Sequence, residues 1–132
     1  MTQDNLMRKT EAAARAARLL YDAQDFDGRA NRAYYAMFDI ARVYLMARHG
    51  IMMEEIKTHS GLISAFSRLG VKQDGLATDL GRWLNQANEV RANADYGSRS
   101  VDVQTAALLL AHMQQFITEL STAIQTDEGE HP

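Results

Sequence analysis

Arg91, Asp95 and Tyr96 are the residues whose types and spacing best suit work on a phosphate. Arg91 follows Ala87 by one helical step and so falls at the edge of an apolar face. A guanidinium there must reach a partner or a cleft, because burying it unpaired would cost about 3–5 kcal/mol. Asp95 lies four residues on, within reach for a helix-end ion pair. The other reading is an arginine held ready for an anion, whose planar fork suits phosphate oxygens. A second group shares one face of an expected helix: Arg32, Tyr35, Asp39 and Arg42, with Asn31 near its start. That mixture fits a solvated face with internal ion pairs; the alternative, on a weaker signal, is a dimer interface or an RNA-facing wall. His59, between Thr58 and Ser60, reads as a residue at a helix cap or facing solvent. His112 reads as half-buried beside a core stripe, and His49 as a cation at a helix C-terminus. None of the four histidines has a second ligand at metal spacing, so no metal or other cofactor is expected. The chain has no phosphate-binding glycine loop, nucleophile elbow or paired-carboxylate motif.

Five helices must position these groups. The first is expected from Asp4 to Ala23, with Leu6, Ala13, Ala17 and Leu20 at helical spacing. Asp25 to Gly28 reads as a break. The second runs from about Gly28 to Arg48. Its stripe is Ala30, Ala33, Met37, Ala41 and Tyr44, widened by Tyr34, Phe38 and Leu45, with Gly50 as the stop. A short third helix covers about Ser60 to Leu69, capped by Thr58 or Ser60 and closed by Gly70. Asp74 can cap a fourth that ends near Ala94, with Leu76, Leu80, Trp83, Leu84 and Ala87 on its apolar face. The fifth spans about Val101 to Gln125, with a heptad-like stripe of Val103, Ala106, Leu110, Met113, Ile117, Leu120 and Ile124. Amphipathic helices joined by short turns pack as an antiparallel all-α bundle, because each stripe needs a partner. Residues 1–125 are read as that bundle and 126–132 as an acidic frayed tail.

Composition bounds the function. A chain of 132 residues suits one domain with one core. With 46% hydrophobic residues, one Pro and eight Gly, it is globular and helix-prone. The absence of cysteine excludes disulfides and thiolate metal sites. No apolar run approaches the roughly 18 residues that span a bilayer, and the start does not read as a signal peptide. A cytoplasmic location is the expectation. A net charge of −3 argues against a strong non-specific grip on nucleic acid but leaves room for a local basic site.

Three phrases occur in a fixed order: NRAYYAMFDIARVYL (31–45), KTHSG (57–61) and NEVRANADYG (88–97). Together with LGRWLNQANEVR (80–91), they resemble the HEPN superfamily of small helical bundles, in its UPF0332-like branch. The resemblance spans roughly Arg29 to Gln125. It implies a bundle of about five helices that dimerises. It also implies a toxin-like, metal-independent endoribonuclease whose partner is a minimal nucleotidyltransferase antitoxin. The family signature is an Arg, four to six residues, then a His, in the turn between the last two main helices. Arg91 matches the arginine. The permitted histidine positions hold Tyr96, Gly97 and Ser98, so the motif is degenerate and Asp95-Tyr96 stands in the histidine's place. Asp95 would be a weak base at neutral pH, with an ordinary pKa of about 3.9, and Tyr96 a hydrogen-bond donor. In some family pairs the partner attaches AMP to a tyrosine near the signature, which makes Tyr96 a modification candidate. Asn88, Arg32, Tyr35, Arg42 and His59 are then the residues expected to face RNA or a second copy. The alternative that the resemblance leaves open is a non-catalytic module that binds RNA or nucleotide, or holds the nucleotidyltransferase.

Overall fold

One helix, α2 (Phe26–His49), is buried on nearly every side, and the other described helices pack around it. The computed structural model describes residues 3–22, 25–95 and 100–130, without the side chains of 21, 22, 95 and 126–130. Among the described residues there are five α-helices and no strand. They are α1 (Gln3–Asp22), α2, α3 (His59–Ala65), α4 (Thr78–Asp95) and α5 (Val103–Glu130). None of the described helices is long and apolar enough to cross a membrane.

The expected stripe of α2 is buried, and Ala36, Ile40 and Val43 outside it are buried too. A helix covered all round is the centre of a bundle, not one of its walls. Its start corrects the expected break. The Asp25 carboxylate accepts the Gly28 N–H at 2.9 Å, so Phe26, Asp27 and Gly28 form the first turn. Its end is as expected: Gly50 is left-handed at φ 64°, and its N–H bonds back to Leu45 and Met46.

The connection to α3 holds a 3₁₀ turn, Met53–Ile56, whose Ile56 is fully buried. Thr58 caps α3, accepting the Gly61 N–H at 3.0 Å. The helix then widens into π-type turns over Phe66–Gln73, so Gly70 lies inside a helical segment and does not close one. Gly75, at φ 80°, ends it. Asp74 is not the cap of α4. It closes the π segment through its N–H to Leu69, and its side chain bonds Tyr44 and His49 on α2.

The face of α5 is also rotated from the expected heptad stripe. Ala106, Leu109, Met113, Phe116 and Leu120 are buried, whereas Leu110, Ile117 and Ile124 are only partly covered and Val103 is 49% exposed. A helix crossing a central helix at period 3.6 buries a three-four row that a strict seven-residue count drifts away from. Asp102 caps this helix by accepting the Thr105 N–H. Asp27 accepts the Val101 N–H at 2.7 Å and so ties the entry of α5 to the first turn of α2.

Candidate functional site

The signature arginine sits where α4 crosses α2. Arg91 is 9% exposed, and its guanidinium lies 5.3 Å from the Tyr34 ring centroid and 5.8 Å from that of Tyr35. A cation over two aromatic faces is held electrostatically by the rings' negative faces. Its Nη2 also donates to Asn88 Oδ1 at 3.1 Å, one turn back on α4. The partner foreseen from spacing, the Asp95 side chain, and the foreseen auxiliary group, Tyr96, both lie outside the described residues.

His59 comes to the same place from the start of α3. Its Nδ1 is 2.7 Å from the Tyr34 hydroxyl, and its ring lies 5.3–6.0 Å from the rings of Tyr34, Tyr35 and Phe38. The reading of His59 as a cap-region or solvent-facing residue is therefore corrected. Thr58 makes the cap, and the next side chain turns onto α2. Burial lowers the His59 pKa below its usual value, and the Arg91 cation lowers it further. The Tyr34 phenol is pushed up by burial, against the pull of Arg91, and stays protonated across the physiological range. A neutral imidazole beside a protonated phenol leaves one ring nitrogen for proton transfer.

His59 and Asn88 line a cleft of about 590 Å³ together with Thr58, Ser60, Ser64 and Asn85. Arg91 stands behind Asn88 and does not line it. Three sequence-selected residues, Arg91, Asn88 and His59, are thus brought together, with Tyr35 at their side. Tyr34, expected only to widen the core stripe, is the residue that joins them. The doubled Tyr34-Tyr35 was the available signal, since adjacent helical positions lie about 100° apart and two large polar-tipped rings there must meet different neighbours.

Arg32, Tyr35, Asp39 and Arg42 do share a face. That face is not open to solvent throughout, because α1 lies along it and Asp39 is buried. Arg42 pairs with Asp39 at 2.8 Å and stacks on Phe38 at 4.8 Å. Elsewhere His49 is bonded to Asp74, and His112 is half-buried and stacked on Trp83 at 4.3 Å. Among the described residues no group of three or more His, Cys, Asp or Glu could hold a metal.

Comparison with known proteins gives a consistent picture. The model of the HEPN domain matches residues 4–123. A UPF0332 protein of Gloeobacter violaceus is 35% identical over 117 residues, which cover 87% of this chain and 90% of that one. A protein of Methanocaldococcus jannaschii named as a candidate toxin is 30% identical over 95 residues, covering 70% of this chain and 60% of its own length. A second candidate toxin of the same organism is 23% identical over 120 residues, covering 91% and 87%.

Proposed function

The chain belongs to the HEPN domain family, and from that premise we propose that it is a toxin-type protein that cleaves RNA without a metal ion. The observation that carries this reading is the meeting of His59, Tyr34 and Arg91 beside a cleft. Transfer within RNA needs a base for the 2′-hydroxyl, a proton for the departing 5′-oxygen, and positive charge for the pentacoordinate phosphorus between them. In this scheme the 2′-oxygen forms its bond to phosphorus, the bond to the 5′-oxygen breaks, that oxygen takes a proton from water, and a 2′,3′-cyclic phosphate remains. His59 takes the 2′-hydroxyl proton at the nitrogen that Tyr34 does not occupy. Arg91 supplies charge, with Asn88 between it and the cleft. Asp95 and Tyr96 retain their auxiliary roles as part of the proposal, with Tyr96 the candidate for silencing by nucleotidyl transfer. A homodimer, a minimal nucleotidyltransferase partner and a cytoplasmic location belong to the same reading.

The burial of Arg91 behind Asn88 favours a second reading, a non-catalytic module that binds RNA or nucleotide, or holds its partner. One experiment separates the two. The purified protein and its Arg91→Ala and His59→Ala variants are incubated with cellular RNA and a chelator. Cleavage that needs both side chains and persists in chelator supports the ribonuclease. RNA retention without cleavage, unchanged by Tyr96→His, supports the binding module.

A further inference from the structure

A second depression lies close to His59. Between α1 and α2 runs a groove of about 590 Å³, lined by Lys9, Arg32, Tyr35, Phe38, Asp39 and Arg42 along with small residues of α1. Tyr35 and Phe38 line this groove and also stand 6.0 and 5.3 Å from the His59 ring. Tyr35 is in addition 5.8 Å from the Arg91 guanidinium. Two aromatic rings that line the groove therefore pack against the histidine that lines the cleft.

The charge of the groove opposes that of the chain. The protein carries −3 overall, yet the groove holds three cations and one carboxylate. That carboxylate, Asp39, is already paired with Arg42. Lys9 and Arg32 are exposed, and no described carboxylate pairs with either. From Arg32 to Arg42 the helix rises about 15 Å, so the cations form a track and not a point. A cation track beside a half-buried ring is the arrangement that binds single-stranded nucleic acid, with phosphates on the cations and a base on the ring. A duplex keeps its bases stacked on one another and cannot use the ring.

Resting on the ribonuclease reading, we propose that the α1–α2 groove is the substrate track: it takes single-stranded RNA, stacks the base next to the scissile bond on Tyr35, and leads its phosphates along Arg42, Arg32 and Lys9. The small alanines of α1 leave the groove open enough for the backbone, and the Arg42–Asp39 pair fixes one cation in it.

The test uses the full chain and a fluorescent 2′-O-methyl RNA, which binds but lacks the attacking hydroxyl. Binding is read by anisotropy across a salt series, for single strand and duplex, beside cleavage of an all-RNA strand. Single strand should bind more tightly than duplex. Tyr35→Ala should weaken binding about 5- to 150-fold and Tyr35→Phe should retain it, as expected for a stacked base. The Lys9→Ala, Arg32→Ala double variant should lower the slope of log affinity against log salt by about 1.4. An unchanged slope, or a preference for duplex, overturns the track while RNA cleavage by the unaltered protein leaves the ribonuclease reading standing. Dissociation of a dimer by the double variant, seen by light scattering, makes the groove an interface between copies and likewise overturns the track. Absence of RNA binding by the unaltered protein at low salt overturns both.

Discussion

The hydroxyl of Tyr34 and Nδ1 of His59 lie 2.7 Å apart although 25 residues separate them in sequence. This contact closes the loop between α2 and α3 and fixes the ring that faces the cleft. It also places His59 in the field of Arg91, which gives the histidine an electrostatic signature that can be measured.

Burial first and the Arg91 cation second both disfavour the imidazolium, so the His59 titration midpoint should fall below the usual value of about 6.5. Arg91→Ala removes the second cause and should move the midpoint up. Titration of the histidine ring by NMR reads both. An unmoved midpoint would disprove the electrostatic contact. If His59 is the base, the acid limb of cleavage in the unaltered protein should coincide with the same midpoint.

Thr58 accepts the Gly61 N–H and so sets the angle at which His59 leaves the chain. Thr58→Ala should cost about 1 kcal/mol of stability, in the usual range for a lost cap. Its effect on cleavage should exceed what that stability loss explains, and Thr58→Ser should restore both. Thermal melts and initial rates on the same samples make the comparison.

Asp74 predicts a specific acid sensitivity. Burial raises its pKa, but hydrogen bonds from Tyr44 and His49, with the charges of His49 and Arg48, outweigh burial and leave it lowered. A carboxylate with a depressed pKa contributes stability that is present above its unfolded value of about 3.9 and is lost as pH falls through the lowered value. Asp74→Asn should therefore flatten the pH dependence of stability at the acid end. At neutral pH it should cost about 1.5–3 kcal/mol, the range for hydrogen bonds to a charged group. Urea melts at several pH values test this; parallel pH profiles for the two proteins would refute it.

The face of α5 is open to a direct comparison of neighbours. Phe116 is fully buried against Phe66 at 5.5 Å between centroids, whereas Ile117 is partly covered. Phe116→Ala should cost about 3–5 kcal/mol. Ile117→Ala should cost clearly less, and equal losses in a denaturant titration would contradict the observed rotation of the helix.

Local signals placed the helices and several of their ends, because caps act over three or four residues that a reader can see together. Thr58, Gly50 and, on α1, Leu6 and Ala17 were legible for that reason, although Ala13 and Leu20 are only partly covered and Ala14 takes the inner place. What failed was information carried by packing. Asp74 looked like a cap because its type and position suit one; the pull of Tyr44 and His49, 30 and 25 residues away, is invisible in a window. A seven-residue repeat on α5 favours Leu110 and Ile117, and only contact with α2 selects Leu109 and Phe116 over them. Within the site, Arg91 could be chosen from spacing and resemblance, and His59 could be named. Their meeting at Tyr34 could not, since it depends on how α3 returns across α2. The Asp95 side chain and Tyr96 fall outside the described residues, so their roles remain part of the proposal.

The Tyr34 ring that anchors His59 stands on α2, the helix most completely enclosed by the others. Helices of that kind exchange their amide hydrogens only when the whole molecule opens. The anchor of His59 therefore has no low-energy melted state of its own: it persists as long as the protein is folded. Disordering that anchor locally would unfold the chain, so control of the histidine falls to covering it or modifying it chemically.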